Sequence, residues 1–279
     1  MNDTIRSADG TELFVQNWLP AETPVATLAI VHGLGEYSDR YRHVAQFFVE
    51  KQFAVYALDL RGHGRSGGQR GHIDRFGQYL EDVSALLAYA RKTTPTEKTF
   101  LLGHSMGGAI VLAFALENPS AVDGVIASGP GLRTRMKVPG WKVTLGKVMS
   151  NVMPKMSIPN GIDPAGLNHD AANVQAYISD PLVHDKVSAR WYTEFTAAGE
   201  RILTDAPKLA VPVLAMHGAD DPIVDPSGTR DFVANAGIAD KKFIEYPAFF
   251  HEILNEPEKE KVLNDIWQWL NERIAVSGQ

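Results

Sequence analysis

A serine between glycines is the residue best placed for chemistry in this sequence. Ser105 lies within Gly103–Gly108, whose sequence is GHSMGG, after the apolar stretch Thr99–Leu102 and at the start of the predicted helix Gly107–Glu117. Glycines on both sides let a strand turn sharply into a helix without Cβ clashes, and such a turn holds a serine hydroxyl above a sheet. Ser105 is therefore the predicted nucleophile. The alternative is a glycine-rich turn in which Ser105 serves as a helix cap.

A serine nucleophile needs a base within hydrogen-bond reach and a third group that orients the base. His251 is the predicted base, because it follows the predicted strand Phe243–Tyr246 and precedes the final helix. The acid should lie between serine and histidine in the chain, near the carboxyl end of a strand. Three carboxylates follow the predicted strand Val213–Met216: Asp220, Asp221 and Asp225. Asp225 lies further from the strand end, but the residues alone do not separate the other two, and turn formation is an alternative for each.

Two backbone N–H groups are predicted to bind the oxyanion that forms when an ester is attacked. One belongs to Met106, directly after the serine, and the other to Leu34. Leu34 lies in His32–Gly35, immediately after the predicted strand Thr27–Val31, where a second donor is expected. The alternative for that segment is an ordinary glycine turn.

Two further motifs are misleading. Gly62–Gly67 matches the dinucleotide-binding pattern GxGxxG, but more glycines and charged residues follow it instead of a helix. His251 and Glu252 begin like the zinc motif HExxH, but Asn255 stands at the second histidine position. We therefore predict neither a cofactor nor a metal.

The elements that would position these residues alternate along the chain. Continuous apolar runs indicate strands buried on both faces, as in a parallel sheet covered by helices. The predicted strands are Leu13–Trp18, Thr27–Val31, Ala54–Leu58, Thr99–Leu102, Gly124–Ala127, Val213–Met216 and Phe243–Tyr246. The predicted helices include Arg42–Lys51, Phe76–Arg91, Gly107–Glu117 and Glu258–Ile274.

The alternation stops after Pro130 and resumes at Val213, with several prolines between. We predict an α/β fold with a mostly parallel central sheet flanked by helices. The core comprises residues 1–130 and 204–279, and an inserted helical cap comprises residues 131–203.

Composition excludes some classes of function. The net charge of -6 provides no basic surface for nucleic acid, and the absence of cysteine removes disulfides and thiol nucleophiles. No apolar run approaches the roughly 18 residues of a membrane span, and the polar first residues do not look like a secretion signal. The expectation is a cytoplasmic protein. The oligomeric state is not predicted.

Taken together, the motifs resemble those of monoacylglycerol lipases and the related lysophospholipase-like enzymes of the α/β-hydrolase superfamily. The resemblance runs from about residue 25 to residue 269. It rests on His32–Glu36 with Arg40 and Tyr41, on Asp59–Ser66, on Gly103–Gly108, on Asp180–Leu182 and on Gly218–Asp221.

This resemblance implies hydrolysis of monoacylglycerol to glycerol and a fatty acid through an acyl-enzyme, without cofactor or metal. It selects Asp221 as the acid. It also suggests that Glu36 contacts the alcohol part of the substrate, while a structural hydrogen bond to Arg40 is the alternative. Other expectations that the residues allow are a lysophospholipase, a general carboxylesterase, a serine aminopeptidase or a non-catalytic lipid receptor on the same fold.

The predicted cap contains a basic and apolar segment. Between Arg133 and Lys155 there are six basic and no acidic residues, interleaved with apolar ones. This combination suits a membrane surface, so peripheral membrane contact through the cap is a hypothesis. The alternative is a cap helix packed on the core with its lysines in water.

Overall fold

Ten strands form two sheets in the computed structural model, which describes residues 2–135 and 140–275. The strands are β1 (Asn2–Arg6), β2 (Glu12–Trp18), β3 (Ala26–Val31), β4 (Phe53–Leu58), β5 (Thr99–His104), β6 (Gly124–Ser128), β7 (Ser157–Pro159), β8 (Lys186–Ser188), β9 (Val213–Gly218) and β10 (Lys241–Tyr246). The large sheet has eight strands in the order β1-β2-β4-β3-β5-β6-β9-β10, and β7 pairs with β8. From β4 to β10 all neighbours are parallel, whereas β1 and β2 pair antiparallel.

Every residue of β3, β4, β5, β6 and β9 is buried, as the continuous apolar runs predicted. Burial on both faces requires helices on both sides of the sheet. One apolar cluster lies on each side. The predicted α/β fold with a mostly parallel sheet is confirmed.

The helices are α1 (Arg42–Glu50), α2 (Gly77–Thr93), α3 (Met106–Glu117), α4 (Gly140–Val152), α5 (Ala171–Ser179), α6 (Ala189–Asp205), α7 (Pro226–Asn235) and α8 (Lys259–Ala275). The first three and α8 agree with the predicted helices to within two residues at each end. Helix α3 is apolar on all faces, and ten of its twelve residues are buried. It packs against β5, β6 and α6, which places its first residues over the middle of the sheet.

Three features differ from the sequence-based expectation. Strand β1 was not predicted, because its sequence is polar; it forms an exposed edge through its pairing with β2. The inserted region is not wholly helical, since it contains the β7–β8 pair. Helix α6 runs across the predicted boundary at residue 203, and its buried residues join the cluster of the main core. The division into core and cap stays a prediction.

Part of the basic and apolar segment, including Lys137 and Val138, lies outside the described residues. Among the residues that the structure does describe, no helix is both long and apolar enough to cross a membrane.

Candidate active site

The turn between β5 and α3 holds Ser105 in a strained conformation. Its φ of 54° and ψ of −116° are unusual for a residue with a side chain. The turn depends on the flanking glycines, because a Cβ atom on Gly103 would lie 2.2 Å from the Gly107 carbonyl oxygen. A Cβ on Gly107 would lie 2.1 Å from the carbonyl oxygen of Val31. The observed geometry is the one that the glycine pattern predicted, with the serine at the start of α3.

Ser105, His251 and Asp221 form one hydrogen-bonded chain. The Oγ atom of Ser105 lies 2.8 Å from Nε2 of His251, and Nδ1 of His251 lies 2.6 Å from Oδ2 of Asp221. Since a carboxylate accepts hydrogen bonds, Nδ1 carries the proton and Nε2 is free to accept the hydroxyl proton. His251 and Asp221 are both buried, with 3% of His251 and none of Asp221 exposed. The arrangement can therefore activate the hydroxyl for attack on a carbonyl carbon.

The structure separates the three candidate carboxylates after β9. Asp220 is exposed, and Asp225 accepts a hydrogen bond from the N–H of Ser227 at the start of α7. Asp221 is buried and accepts the N–H groups of Ile223 and Val224 at 2.8 and 2.9 Å through Oδ1. The turn thus brings Asp221 to His251 and leaves its two neighbours in structural or solvent-facing positions.

A second histidine, which the sequence analysis did not assign, also binds Asp221. Nε2 of His217 lies 3.0 Å from Oδ2, and its Nδ1 lies 2.7 Å from Oγ1 of Thr229. Burial alone would raise the pKa of Asp221, but His251 and these hydrogen bonds hold the pKa of the carboxyl far below its usual range. Asp221 therefore stays ionised. The sequence signal that could have identified His217 was its position at the end of β9.

The same interactions make His251 a stronger base. Burial lowers the pKa of His251, but the hydrogen-bonded carboxylate of Asp221 and the nearby carboxylates of Glu252 and Glu36 together raise it, so the net pKa lies above that of free histidine. The ring of His104 lies beside that of His251, with centroids 4.8 Å apart. Burial, together with the nearby His251, lowers the pKa of His104 to about 4. His104 is thus neutral at neutral pH and leaves the proton to His251.

One predicted oxyanion donor, Leu34, lies in the loop after β3, and the other, Met106, begins α3. Nδ1 of His32 donates to the Gly33 carbonyl at 2.7 Å, while Nε2 accepts the N–H of Leu60 at 2.9 Å. In a trans peptide the C=O and N–H point in opposite directions, so this bond turns the N–H of Leu34 away from His32. No acceptor for the N–H of Leu34 or Met106 is found within residues 2–135 and 140–275. Met106 is the first residue of α3, where the N–H has no partner within the helix.

Glu36 belongs to a buried ionic network. One oxygen accepts the N–H of Gly33 and the hydroxyl of Tyr41, both at 2.6 Å, and the other binds the guanidinium of Arg40. Arg40 also binds both oxygens of Glu252, at 2.6 and 2.8 Å. The structural alternative for Glu36, a bond to Arg40, is therefore present, and its contact with a substrate stays a prediction. Sequence analysis missed the pairing with Glu252, because the partners lie 212 residues apart.

The sheet, the turn and the serine–histidine–aspartate chain define an α/β hydrolase. Residues 22–258 match the model of the Hydrolase_4 family, described as serine aminopeptidase, S33. The chain belongs to this family and is a serine hydrolase of the lipase and esterase kind.

The part of the chain that the structure describes contains no cluster of three or more His, Cys, Asp or Glu residues suited to a metal ion.

Named relatives and a solved structure agree with this assignment. The chain is 34% identical to a monoacylglycerol lipase of Mycolicibacterium smegmatis, over 94% of this chain and 93% of that one. It is 35% identical to phospholipase YtpA of Bacillus subtilis, over 87% and 93%. The crystal structure of the Paleococcus ferrophilus monoacylglycerol lipase superposes with a TM-score of 0.86 at 34% identity, covering 94% of this chain and 99% of that one. An uncharacterized abhydrolase domain-containing protein of Dictyostelium discoideum is much longer, and the chain spans 28% of it at 35% identity.

Proposed function

We propose that Ser105 attacks the carbonyl carbon of an ester while His251 accepts its proton and Asp221 orients and stabilises the resulting imidazolium. The N–H groups of Leu34 and Met106 bind the oxyanion. His251 then protonates the departing alcohol, and a water molecule activated by the same histidine hydrolyses the acyl-enzyme. The observation that carries this proposal is the 2.8 Å contact between Ser105 and a histidine whose other nitrogen is bound to a buried carboxylate.

The proposed substrate is monoacylglycerol, cleaved to glycerol and a fatty acid. Support comes from the relatives with this name, which match this chain over nearly their whole length and share its fold. The 35% identity to a phospholipase favours one second candidate, a lysophospholipid with the same single acyl ester. Both substrates present an acyl chain and a polar alcohol to the same reaction, so the alcohol decides between them.

A fluorophosphonate probe tests the nucleophile. We expect stoichiometric labelling of the wild-type chain, loss of labelling in Ser105→Ala, and normal labelling in the control Ser179→Ala, which changes an exposed serine in α5. The same Ser105→Ala change should lower kcat by about 10⁶-fold, as expected when the members of such a unit act together. Labelling at another serine, or lipid binding without labelling, would replace the proposal with a different nucleophile or a non-catalytic receptor.

A substrate panel tests which alcohol group the enzyme prefers. Comparing kcat/KM for monoacylglycerol, diacylglycerol, lysophospholipid and an aminoacyl amide of matched length separates the candidates, because this ratio measures discrimination directly. We expect monoacylglycerol to have the highest value. A higher value for lysophospholipid would transfer the assignment to the second candidate, and a higher value for the amide would indicate a peptidase.

We also propose that residues 131–203 act as a cap and that α4 docks on a lipid surface. Apolar side chains recur along one face of α4 and remain exposed: Trp141 by 65%, Leu145 by 50%, Val148 by 52% and Val152 by 70%. The helix contains lysines and no acidic residue. An exposed apolar face on a helix whose sequence contains lysines and no acidic residue is suited to the interface of an anionic membrane.

A further inference from the structure

The loop that carries His251 is held by residues of the inserted region. This loop, Phe250–Glu256, is contacted by Leu167, Asn168 and His169, which we name the cap clamp. The Leu167 carbonyl accepts the N–H of Glu252 at 2.7 Å, directly after His251. Leu167 also forms a small apolar cluster with Ile223 and Val224, whose N–H groups bind Asp221. One segment thus touches both the histidine loop and the aspartate loop.

Glu256 joins the clamp to the residue before His251. Its side chain is 1% exposed, and it accepts the Phe250 N–H at 2.7 Å through Oε1. It also accepts the N–H of His169 at 3.0 Å through Oε2, and Nδ1 of His169 lies 3.0 Å from both oxygens. The His169 ring packs against that of Phe250, with centroids 3.8 Å apart and planes tilted by 32°. A buried carboxylate shared by two backbone N–H groups holds their two segments at a fixed distance, because leaving either donor unpaired is costly.

Asn168 makes the corresponding contact on the other side of His251. It is 3% exposed, and its Nδ2 donates to Oε2 of Glu252 at 2.8 Å and to Oδ1 of Asn173 at 3.0 Å. Asn173 in turn accepts from Arg40 at 3.2 Å. Asn168 therefore connects the inserted helix α5, the ionic network around Arg40 and the residue next to His251.

We infer that the cap clamp positions the imidazole of His251 against Ser105 and Asp221, so that the placement of the inserted region and the alignment of the base are coupled. The inference rests on the proposed role of His251 as the base. The clamp residues hold the loop on both sides of the histidine through the buried contact of Asn168 and the partly buried contacts of His169, and they do so without touching the serine. They are positioning residues, and a displacement of about 1 Å at such a site can reduce the rate by about 100-fold.

Three variants test the clamp with a short-chain p-nitrophenyl ester, which is too small to depend on the rest of the inserted region. Asn168→Asp keeps the size but places an acceptor against Glu252. His169→Ala removes the ring and its side-chain bond to Glu256, whereas His169→Phe keeps a ring against Phe250 and removes that side-chain bond. Asn151→Ala is the matched control, because its amide binds the carbonyl of Lys147 in its own exposed helix.

We expect Asn168→Asp and His169→Ala to lower kcat per fluorophosphonate-labelled site by about 10-fold or more, with KM within about twofold of the wild type. His169→Phe should fall between His169→Ala and the wild type, and the control should be unchanged. In His169→Ala, which adds no negative charge, a looser contact with Asp221 raises the pKa of His251 less, so the acid limb of the pH profile should move to lower pH. Normalising to labelled sites removes any contribution from misfolded protein.

Unchanged kcat per labelled site in both Asn168→Asp and His169→Ala would overturn the inference, as would a change confined to KM or a pH profile of His169→Ala that stays in place. These outcomes leave the proposed function intact, since the wild type would still be labelled at Ser105. Failure of the proposed function itself appears separately, as an unlabelled wild-type chain or as label on another serine.

Discussion

Helices α3 and α4 are both rich in apolar residues, but the protein uses them in opposite ways. Helix α3 buries ten of its twelve residues and starts at the turn that carries Ser105. Helix α4 leaves its apolar face outside, and Val152 at its end is 70% exposed. Lysines between the apolar residues of α4, which α3 lacks, are the main difference in sequence. Apolar residues thus fix the turn at Ser105 in one helix and form an outer surface in the other.

The two helices should respond differently to substitution. Changes around α3 and its neighbours should affect every substrate, because they alter the reaction centre itself. Changes on α4 should affect aggregated lipid substrates and leave a dissolved short-chain ester unaffected.

Asp221→Asn should reduce activity on every substrate by several orders of magnitude. Asparagine presents an N–H₂ group as well as an oxygen, so it no longer stabilises a protonated His251 and can favour the wrong imidazole tautomer. We expect kcat/KM to fall by about 10⁴-fold on both dissolved and aggregated substrates, as for the corresponding change in other serine hydrolases. Steady-state kinetics measures this. The control Asp220→Asn changes the exposed neighbour and should retain nearly full activity.

Arg40→Met should mainly reduce stability. It leaves the carboxylates of Glu36 and Glu252 buried without their guanidinium, and removing one partner of a buried ionic group costs about 3–5 kcal/mol. The free energy of unfolding in urea measures the loss. Arg42→Met is the matched control, because Arg42 is 52% exposed in its side chain and pairs with Asp39 at the surface. Such a surface pair contributes about 0–1 kcal/mol. Equal losses in the two variants would contradict a buried role for the network.

Glu252→Gln should move the pH dependence of the reaction. Burial lowers the pKa of His251, whereas the carboxylates of Asp221 and Glu252 raise it. Removing the Glu252 charge therefore lowers this pKa. Because the base must be neutral, the acid limb of the kcat/KM profile should move to lower pH on every substrate. Glu258→Gln, an exposed change a few residues along the chain, is the control for net charge. An acid limb that stays in place or moves upward would be inconsistent with this electrostatic role.

Some parts of the fold could be predicted from the sequence and others could not. Strands β3 to β6 were predictable, because a continuous apolar run has few stable placements other than the middle of a covered sheet. The polar strand β1 was not, since its stability comes from pairing with β2 rather than from its own pattern. The turn at Ser105 was predictable from the two glycines that it requires.

Asp221 and the ionic network around Arg40 were harder to predict from the sequence, for a different reason. Asp220 and Asp221 are adjacent and chemically identical, and only the path of the turn after β9 decides which one reaches His251. Resemblance to known enzymes selected Asp221, whereas the residues alone left both open. The pairing of Arg40 with Glu252 depends on how distant loops meet at the same edge of the sheet. Local patterns contain no information about such contacts.

The smallest predicted effect concerns the exposed face of α4. Leu145→Ser and Val152→Ser together remove part of the apolar surface proposed to enter a lipid interface. We expect binding to anionic phospholipid vesicles, measured by co-sedimentation, to weaken by roughly 10-fold, since each buried CH₂ contributes about 0.8 kcal/mol and these side chains would be only partly inserted. The rate on emulsified monoacylglycerol should fall with binding, while kcat/KM for a dissolved p-nitrophenyl ester should stay the same.

Leu19→Ser is the control for this pair, because Leu19 is 48% exposed directly after β2, outside the inserted region. It should leave vesicle binding unchanged. If α4 instead only packs on the core, the double variant will bind vesicles like the wild type. If its residues shape the reaction centre, the dissolved ester will be affected as well. Either result would remove the distinction between the two helices, because α4 would then serve the interior of the protein as α3 does.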